Sequence, residues 1–411
     1  GIGPVALNRQ ILADASHTFS HVIETPEATD QKKSGRCWLF AGLNALRVAC
    51  KEKLKLDHFE LSQVYLMFWD KLEKANFFIE NIIETRNEPL NGRLVMWLLA
   101  NALPDAGQWD MFVNLVKKYG VVPKSEMPET ESSNQSASMN GILLAKLREY
   151  ARDIREMNGH GASVDEMRAR KREQLLEFYR MLAIHLGTPP QEFIWEWRDK
   201  DKAFHRHGKI TPVQFFREFV AVDLDEMVCL INAPTGDKPY SKLYTVQYLG
   251  NVVGGQIVRY LNTPVDTLKK AAVKMILDGR PVWFGCDVGK MLERSLGILN
   301  DRLYDYELVF DSDFRLDKAG RLDYGYSKMN HAMVLTGVDL SDSGAPTRWR
   351  VENSWGKDIG DKGYMVMSDR WFDEYLYEIT VSRKHLSPEL CEVLETEPIV
   401  LPPWDPMGAL A

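Results

Sequence analysis

Helical periodicity and strand-like alternation are segregated along this chain, and that segregation restricts the fold more than any other feature. Apolar residues recur at helical spacing through the first part: Trp38, Leu39, Leu43 and Leu46 after a polar loop, then Leu61, Val64, Tyr65, Phe68, Trp69 and Leu72. The spacing predicts helices over 37–52, 60–81 (with Ser62 at the start) and 93–103. A further helical run comes after the turn at 104–109, through Met111, Phe112, Leu115, Val116 and Tyr119. Strand-like runs concentrate late: 227–231, 243–249, 281–286, 331–338, 348–355 and 363–367, with a helix over 268–278 between them. Helices early and an antiparallel sheet late predict an α+β chain with a cleft between the two parts.

The middle has its own character. Residues 129–140 are rich in Ser, Asn and Gln and read as an exposed loop. Residues 141–185 read as long helices, with one stripe of Leu144, Leu147, Tyr150 and Ile154 and another of Leu175, Leu176, Tyr179 and Leu182. Residues 188–201 read as a connection, and His205 and His207 as members of a charged loop. Thr211-Pro212 begins another helix, with proline in its first turn. The basic cluster 168–172 reads as a solvated helix face, the alternative being a partner or nucleic-acid surface. Residues 1–36 read as irregular, with one short helix near 10–15.

Composition excludes several classes. A chain of 411 residues divides into two or three subdomains. No run of eighteen apolar residues is present to cross a membrane. Net charge is −7, with no long basic block to hold nucleic acid. The five cysteines, Cys37, Cys50, Cys229, Cys286 and Cys391, are odd in number and widely spaced, without a C-x-x-C pair. That pattern speaks against a disulfide framework or a zinc site and for a reducing, cytoplasmic compartment. The start, Gly1-Ile2-Gly3-Pro4, lacks a basic-then-apolar segment and does not read as a secretory leader.

One loop carries the chemistry. Gln31 to Arg36 is polar and ends at Cys37, where the helix begins. A cysteine there meets unpaired N–H groups and the positive end of the helix dipole, which favour a thiolate. Gln31 is a candidate oxyanion donor. Among nine histidines, His331 stands apart because it opens a strand-like run, and the next such run ends near Asn353. An amide on one strand can hold one ring nitrogen of a histidine on its neighbour and leave the other for the thiol. Trp355 is placed to cover that bond.

The set Gln31-x5-Cys37-Trp38, His331-Ala332 and Asn353-Ser354-Trp355-Gly356 resembles the papain-like cysteine peptidases. His331 follows Cys37 by 294 positions, roughly 150 more than a minimal member needs, and the middle helical block accounts for the excess. The finer resemblance is to bleomycin hydrolases and bacterial aminopeptidase C. It is carried by Ser34-Gly35-Arg36-Cys37-Trp38, Glu60-Leu61-Ser62-Gln63, the 350–356 run and the ending Pro402-Pro403-Trp404-Asp405-Pro406-Met407-Gly408-Ala409-Leu410-Ala411. The resemblance implies a two-lobed papain-like α+β fold, with a helical lobe, an antiparallel sheet or barrel lobe, a large helical insertion and a tail in the cleft. The boundaries expected are 1–128, 129–270, 271–397 and 398–411. It implies Cys37 as nucleophile, His331 as acid and base, Asn353 as orienter and Gln31 as oxyanion donor, with Gly107, Asn330, Trp355 and Ala411 at the substrate. Ala106 stands where the family has the first of two glycines.

The tail, residues 398–411, spans up to roughly 45 Å when extended. By the resemblance it lies in the cleft, and its terminal carboxylate meets the free α-ammonium of a peptide. The implied activity is that of an aminopeptidase, also acting on amino-acid-like amides, without metal or cofactor, in a homohexamer. The alternatives are an open-cleft endopeptidase of the same superfamily and a nucleic-acid-binding protein, which the acidic balance disfavours.

Overall fold

The computed structural model describes residues 3–411. Its centre is the Cys37–Leu54 helix, in which every residue from Cys37 to Asn44 is buried. A helix covered on all sides needs apolar or small residues on every face, which is why this stretch lacks a strong polar side. The Gln63–Glu84 helix packs beside it and starts at Ser62, whose hydroxyl accepts the Tyr65 N–H. Helices over Arg93–Ala100 and Trp109–Tyr119 complete this layer.

Twelve strands form one sheet on the other side. From one edge the order is Ile399–Leu401, Lys242–Val246, Tyr260–Asn262, Met227–Ile231, Leu376–Ser382, Val282–Cys286, His331–Leu340, Pro346–Glu352, Tyr364–Ser368, Ile298–Leu299 and Leu292–Glu293, with His21–Val22 pairing onto the His331–Leu340 strand. Most neighbours are antiparallel, as expected, but three joins are parallel. The strands between 227 and 262 belong to this sheet, so it draws on residues that sequence reasoning assigns to the helical insertion. His331 lies directly opposite Cys286 across the pairing.

Three segments differ from their sequence expectation. The 129–140 stretch is helical: Thr130 and Ser133 form a capping box for Glu131–Asn134, and the Ser136–Gly159 helix comes at once after it. Ser133 closes the cap and Ser136 Oγ donates to Asp105 at 2.6 Å, both buried instead of facing water. Residues 193–210 form a hairpin of Phe193–Arg198 and Phe204–Ile210. There Trp197 stacks on Trp195 and on His205, and His207 bonds Glu218. Mixed aromatic and charged residues obscure that alternation. In the Val164–Leu186 helix the buried stripe runs through Gln174, Phe178 and Leu182, while Leu176 faces outward. The basic cluster is internally neutralised: Arg168 and Lys171 both bind Glu80, and Arg170 binds Glu173.

Candidate active site

Cys37 is the first residue of its helix, and its N-cap, Arg36, makes no side-chain capping bond. The helix-start N–H groups of Cys37 and Trp38 therefore remain for the sulfur, and the Ala332 N–H reaches it from the facing strand. The loop before Cys37 is held at several points. Ser34 Oγ donates to the Gln31 carbonyl at 2.7 Å, and Arg36 Nε donates to Ser34 Oγ at 2.9 Å. The Arg36 guanidinium forks onto Glu129 at 2.9 and 3.2 Å. The Gln31 N–H donates to the Ser354 carbonyl at 2.9 Å, and Ser354 Oγ donates to Gln31 Oε1 at 3.3 Å. Those bonds use the carbonyl end of the Gln31 amide and leave its NH2 end as a donor.

His331 opens the His331–Leu340 strand, and Asn353 comes directly after the neighbouring Pro346–Glu352 strand. His331 Nε2–H donates to Asn353 Oδ1 at 2.9 Å, and the same oxygen accepts the Ser354 N–H at 2.7 Å. Nδ1 is thereby left as the basic nitrogen. The Trp355 ring lies 5.0 Å from the imidazole, and Arg294 sits over that indole at 4.3 Å. Burial pushes the His331 pKa down to about 4, against the Asn353 bond and with help from the Arg294 charge. Burial likewise pushes the Cys37 thiol up to about 11, outweighing the three N–H groups that favour its anion. Burial thus opposes charge on both groups, while the helix-start and Ala332 N–H groups favour the thiolate that the sequence reading expects.

The 398–411 tail reaches the Gly107 loop: the Ala411 carbonyl oxygen accepts the Gly107 N–H at 3.2 Å, and the Ala411 N–H donates to the Gly107 carbonyl at 3.3 Å. Gln108 Nε2 donates to the Ala409 carbonyl at 2.7 Å. Ala411 is wholly buried. Gly107 approaches Trp38 so closely that a Cβ there would fall 2.7 Å from the indole ring. A pocket of about 390 Å³ beside the tail is lined by Ala106, Met329, Asn330 and residues 408–410, with Phe78 and Trp97 at its apolar wall. Asn330 is turned by its neighbours: its Nδ2 donates to buried Asp287 at 2.6 Å and its Oδ1 accepts the Val288 N–H.

Sequence reasoning misses the groups beneath these residues. Lys71 and Lys74, one helical turn apart and almost fully buried, hold the 103–107 loop from below. Lys71 Nζ binds Asp105 Oδ1 at 2.5 Å, and Lys74 Nζ donates to the carbonyls of Pro104 and Ala106 at 2.9 and 2.8 Å and to Asp70. Burial alone would raise the Asp105 carboxyl, but Lys71 and Ser136 hold it well below the usual range. Arg47 of the Cys37 helix binds Glu352, the residue before Asn353, with both side chains buried. The ion pair ties the Cys37 helix to the strand that leads into Asn353 across 305 positions. Runs of local sequence carry no sign of such a pair. Among the described residues there is no cluster of three or more His, Cys, Asp or Glu able to hold a metal.

The sequence model of the Peptidase C1-like family matches residues 1–408. Human bleomycin hydrolase is 48% identical over 416 aligned residues, which cover 99% of this chain and 91% of the relative. Aminopeptidase C of Listeria innocua is 47% identical, covering 100% of this chain and 92% of that one. The crystal structure of pepw from Lactobacillus rhamnosis superposes with a TM-score of 0.99 at 50% identity, covering all of this chain and 93% of the other.

Proposed function

Because this chain belongs to the Peptidase C1-like family, we propose that it is a papain-like cysteine aminopeptidase. It removes residues from the free N-termini of peptides and, as its bleomycin hydrolase relatives are named for, splits amino-acid-like amides. The observation that carries this reading is the seat of Ala411. Its backbone pairs with Gly107 in both directions, and in this reading its carboxylate meets the α-ammonium of a substrate. A −1 group about 4 Å from a +1 group gains about 1–4 kcal/mol at effective dielectrics from 80 to 20. N-blocked and internal segments gain nothing there and meet the tail instead.

In this reading the Cys37 thiolate, its proton held on His331 Nδ1, attacks the carbonyl of the first residue. The Gln31 NH2 and the Cys37 N–H take the charge that develops on the carbonyl oxygen. Asn353 holds the ring as it becomes an imidazolium, and Trp355 shields their bond. His331 then protonates the leaving amine and activates the water that cleaves the thioester. Gly107 and Asn330 line the place of the first residue. No metal or cofactor enters the cycle.

The proposal extends to organisation. Residues 1–128 carry the nucleophile lobe, 129–270 the insertion together with the sheet strands between 227 and 262, 271–397 the histidine and asparagine, and 398–411 the gating tail. Five free cysteines support a cytoplasmic site of action. A hexamer is supported by the family resemblance and by the exposed Leu308, Phe310, Phe314 and Tyr324 on one segment. Mass spectrometry of an octapeptide digest tests the activity. A ladder shortened one residue at a time from the N-terminus, absent after alkylation of Cys37, is expected. A first cut inside the peptide, or a ladder that survives in Cys37→Ala, refutes it.

A further inference from the structure

Between the strand Ile399–Leu401 and the chain end, the tail has one buried ionic anchor. Lys238 Nζ binds Asp405 Oδ2 at 2.9 Å, with the two side chains only 3% and 6% exposed. Lys238 is fixed from its own side. Its carbonyl accepts from Asn262 Nδ2 at 2.6 Å, and Asn262 is a buried residue of the central sheet. Asp405 in turn shapes the residues after it: its Oδ1 accepts the Met407 N–H at 2.8 Å, and its carbonyl accepts the Gly408 N–H at 2.8 Å. These bonds close the short turn Pro406–Gly408. Beyond the turn the tail is held by buried Met407 and by the backbone bonds at Ala409 and Ala411, those at Ala411 being long.

The position of the terminal carboxylate therefore depends on where Asp405 is fixed. Five residues separate Asp405 from Ala411, and the turn removes most of their slack. We propose that the Lys238–Asp405 ion pair is the specificity-determining ruler of this enzyme: it sets how far the chain end enters the cleft and so confines cleavage to one residue from a free N-terminus. The inference rests on the aminopeptidase reading of the tail. Lys238 acts through the tail and is a positioning residue. Loss of the pair frees the 405–411 segment to withdraw, which opens the cleft to internal and N-blocked segments. The Lys71, Lys74 and Cys37 elements lie outside this anchor.

The test compares kcat/KM for an N-acetylated peptide with that for the same free peptide. The enzymes are the full chain, Asp405→Asn, Lys238→Met, the swapped pair Lys238→Asp with Asp405→Lys, and a deletion of Met407–Ala411. Each single substitution is expected to raise the blocked-to-free ratio about tenfold or more, as the loss of a buried pair allows, with the alkylation rate of Cys37 unreduced. The swap returns the ratio toward that of the full chain. Unchanged ratios in the single variants beside a raised ratio in the deletion overturn the ruler and leave the tail reading standing. An unchanged ratio in the deletion overturns both. Asp405→Asn leaves Lys238 paired with Asp237 and decides the matter should Lys238→Met fail to fold.

Discussion

Gly107→Ala is a one-carbon change with a calculable effect on the site. The new Cβ would lie 2.7 Å from three atoms of the Trp38 ring. That ring has no room to withdraw: it is fully buried, and its Nε1 donates to the Asp105 carbonyl at 2.7 Å. Restoring an ordinary carbon–carbon separation of about 3.5–4.0 Å takes a shift of about 1 Å, which the 105–108 loop must make. The Gly107–Ala411 bonds, at 3.2 and 3.3 Å, already sit at the long end of the range and do not survive such a shift. Overpacking of this kind costs about 1–3 kcal/mol of stability. A misplacement of about 1 Å at a reacting centre lowers turnover by about 10²-fold. The assay is kcat/KM on an aminoacyl-amide fluorogenic substrate, beside a thermal melt. A folded Gly107→Ala protein with unaltered kcat/KM and unaltered discrimination against N-blocked peptides would refute the close-approach argument.

The buried charges set other outcomes. Arg47→Met strands Glu352 without its partner and is expected to cost about 3–5 kcal/mol in denaturant unfolding. Arg47→Met with Glu352→Leu should recover most of that, and a single variant as stable as the parent contradicts the tie. Glu378 is wholly buried without a cationic partner among the described residues, and burial, against the nearby Cys229 thiol, pushes it up to about 8. Folded protein thus holds a proton that the unfolded chain releases near its ordinary value of 4.5. This contribution to stability is therefore full below about pH 4.5 and lost as pH rises through about 8. Glu378→Gln should flatten that part of the pH–stability curve, and an unchanged slope counts against the assignment. Activity on free peptides should fall above about pH 8, where the substrate α-ammonium loses its proton. The Met407–Ala411 deletion should lack that limb.

The parts of the site legible in sequence are those written locally. A polar loop running into an apolar helix announces Cys37, and an apolar run announces the strand that His331 opens. Ser62 announces the Gln63–Glu84 helix because its cap bond reaches only to the Tyr65 N–H. The remainder is written across the chain. Arg47 meets Glu352, and Lys71 meets Asp105, only after the layers close. Of the N–H groups around the Cys37 sulfur, those of Cys37 and Trp38 can be read from helix position, whereas that of Ala332 comes from a strand far along the chain. The Ser-rich 129–140 stretch reads as a loop because caps and loops share residue types. The hairpin at 193–210 escapes sequence reasoning because its strands alternate aromatic with charged residues, not apolar with polar.

The central claim is that the chain's own end decides which bond Cys37 chemistry reaches, and one ratio tests it most directly. We predict that kcat/KM for a free peptide exceeds that for its N-acetylated twin by about tenfold or more, the equivalent of ~1.4 kcal/mol. Deleting Met407–Ala411 should abolish or reverse that preference while Cys37 still alkylates. A preference that persists in the deleted protein would contradict the account.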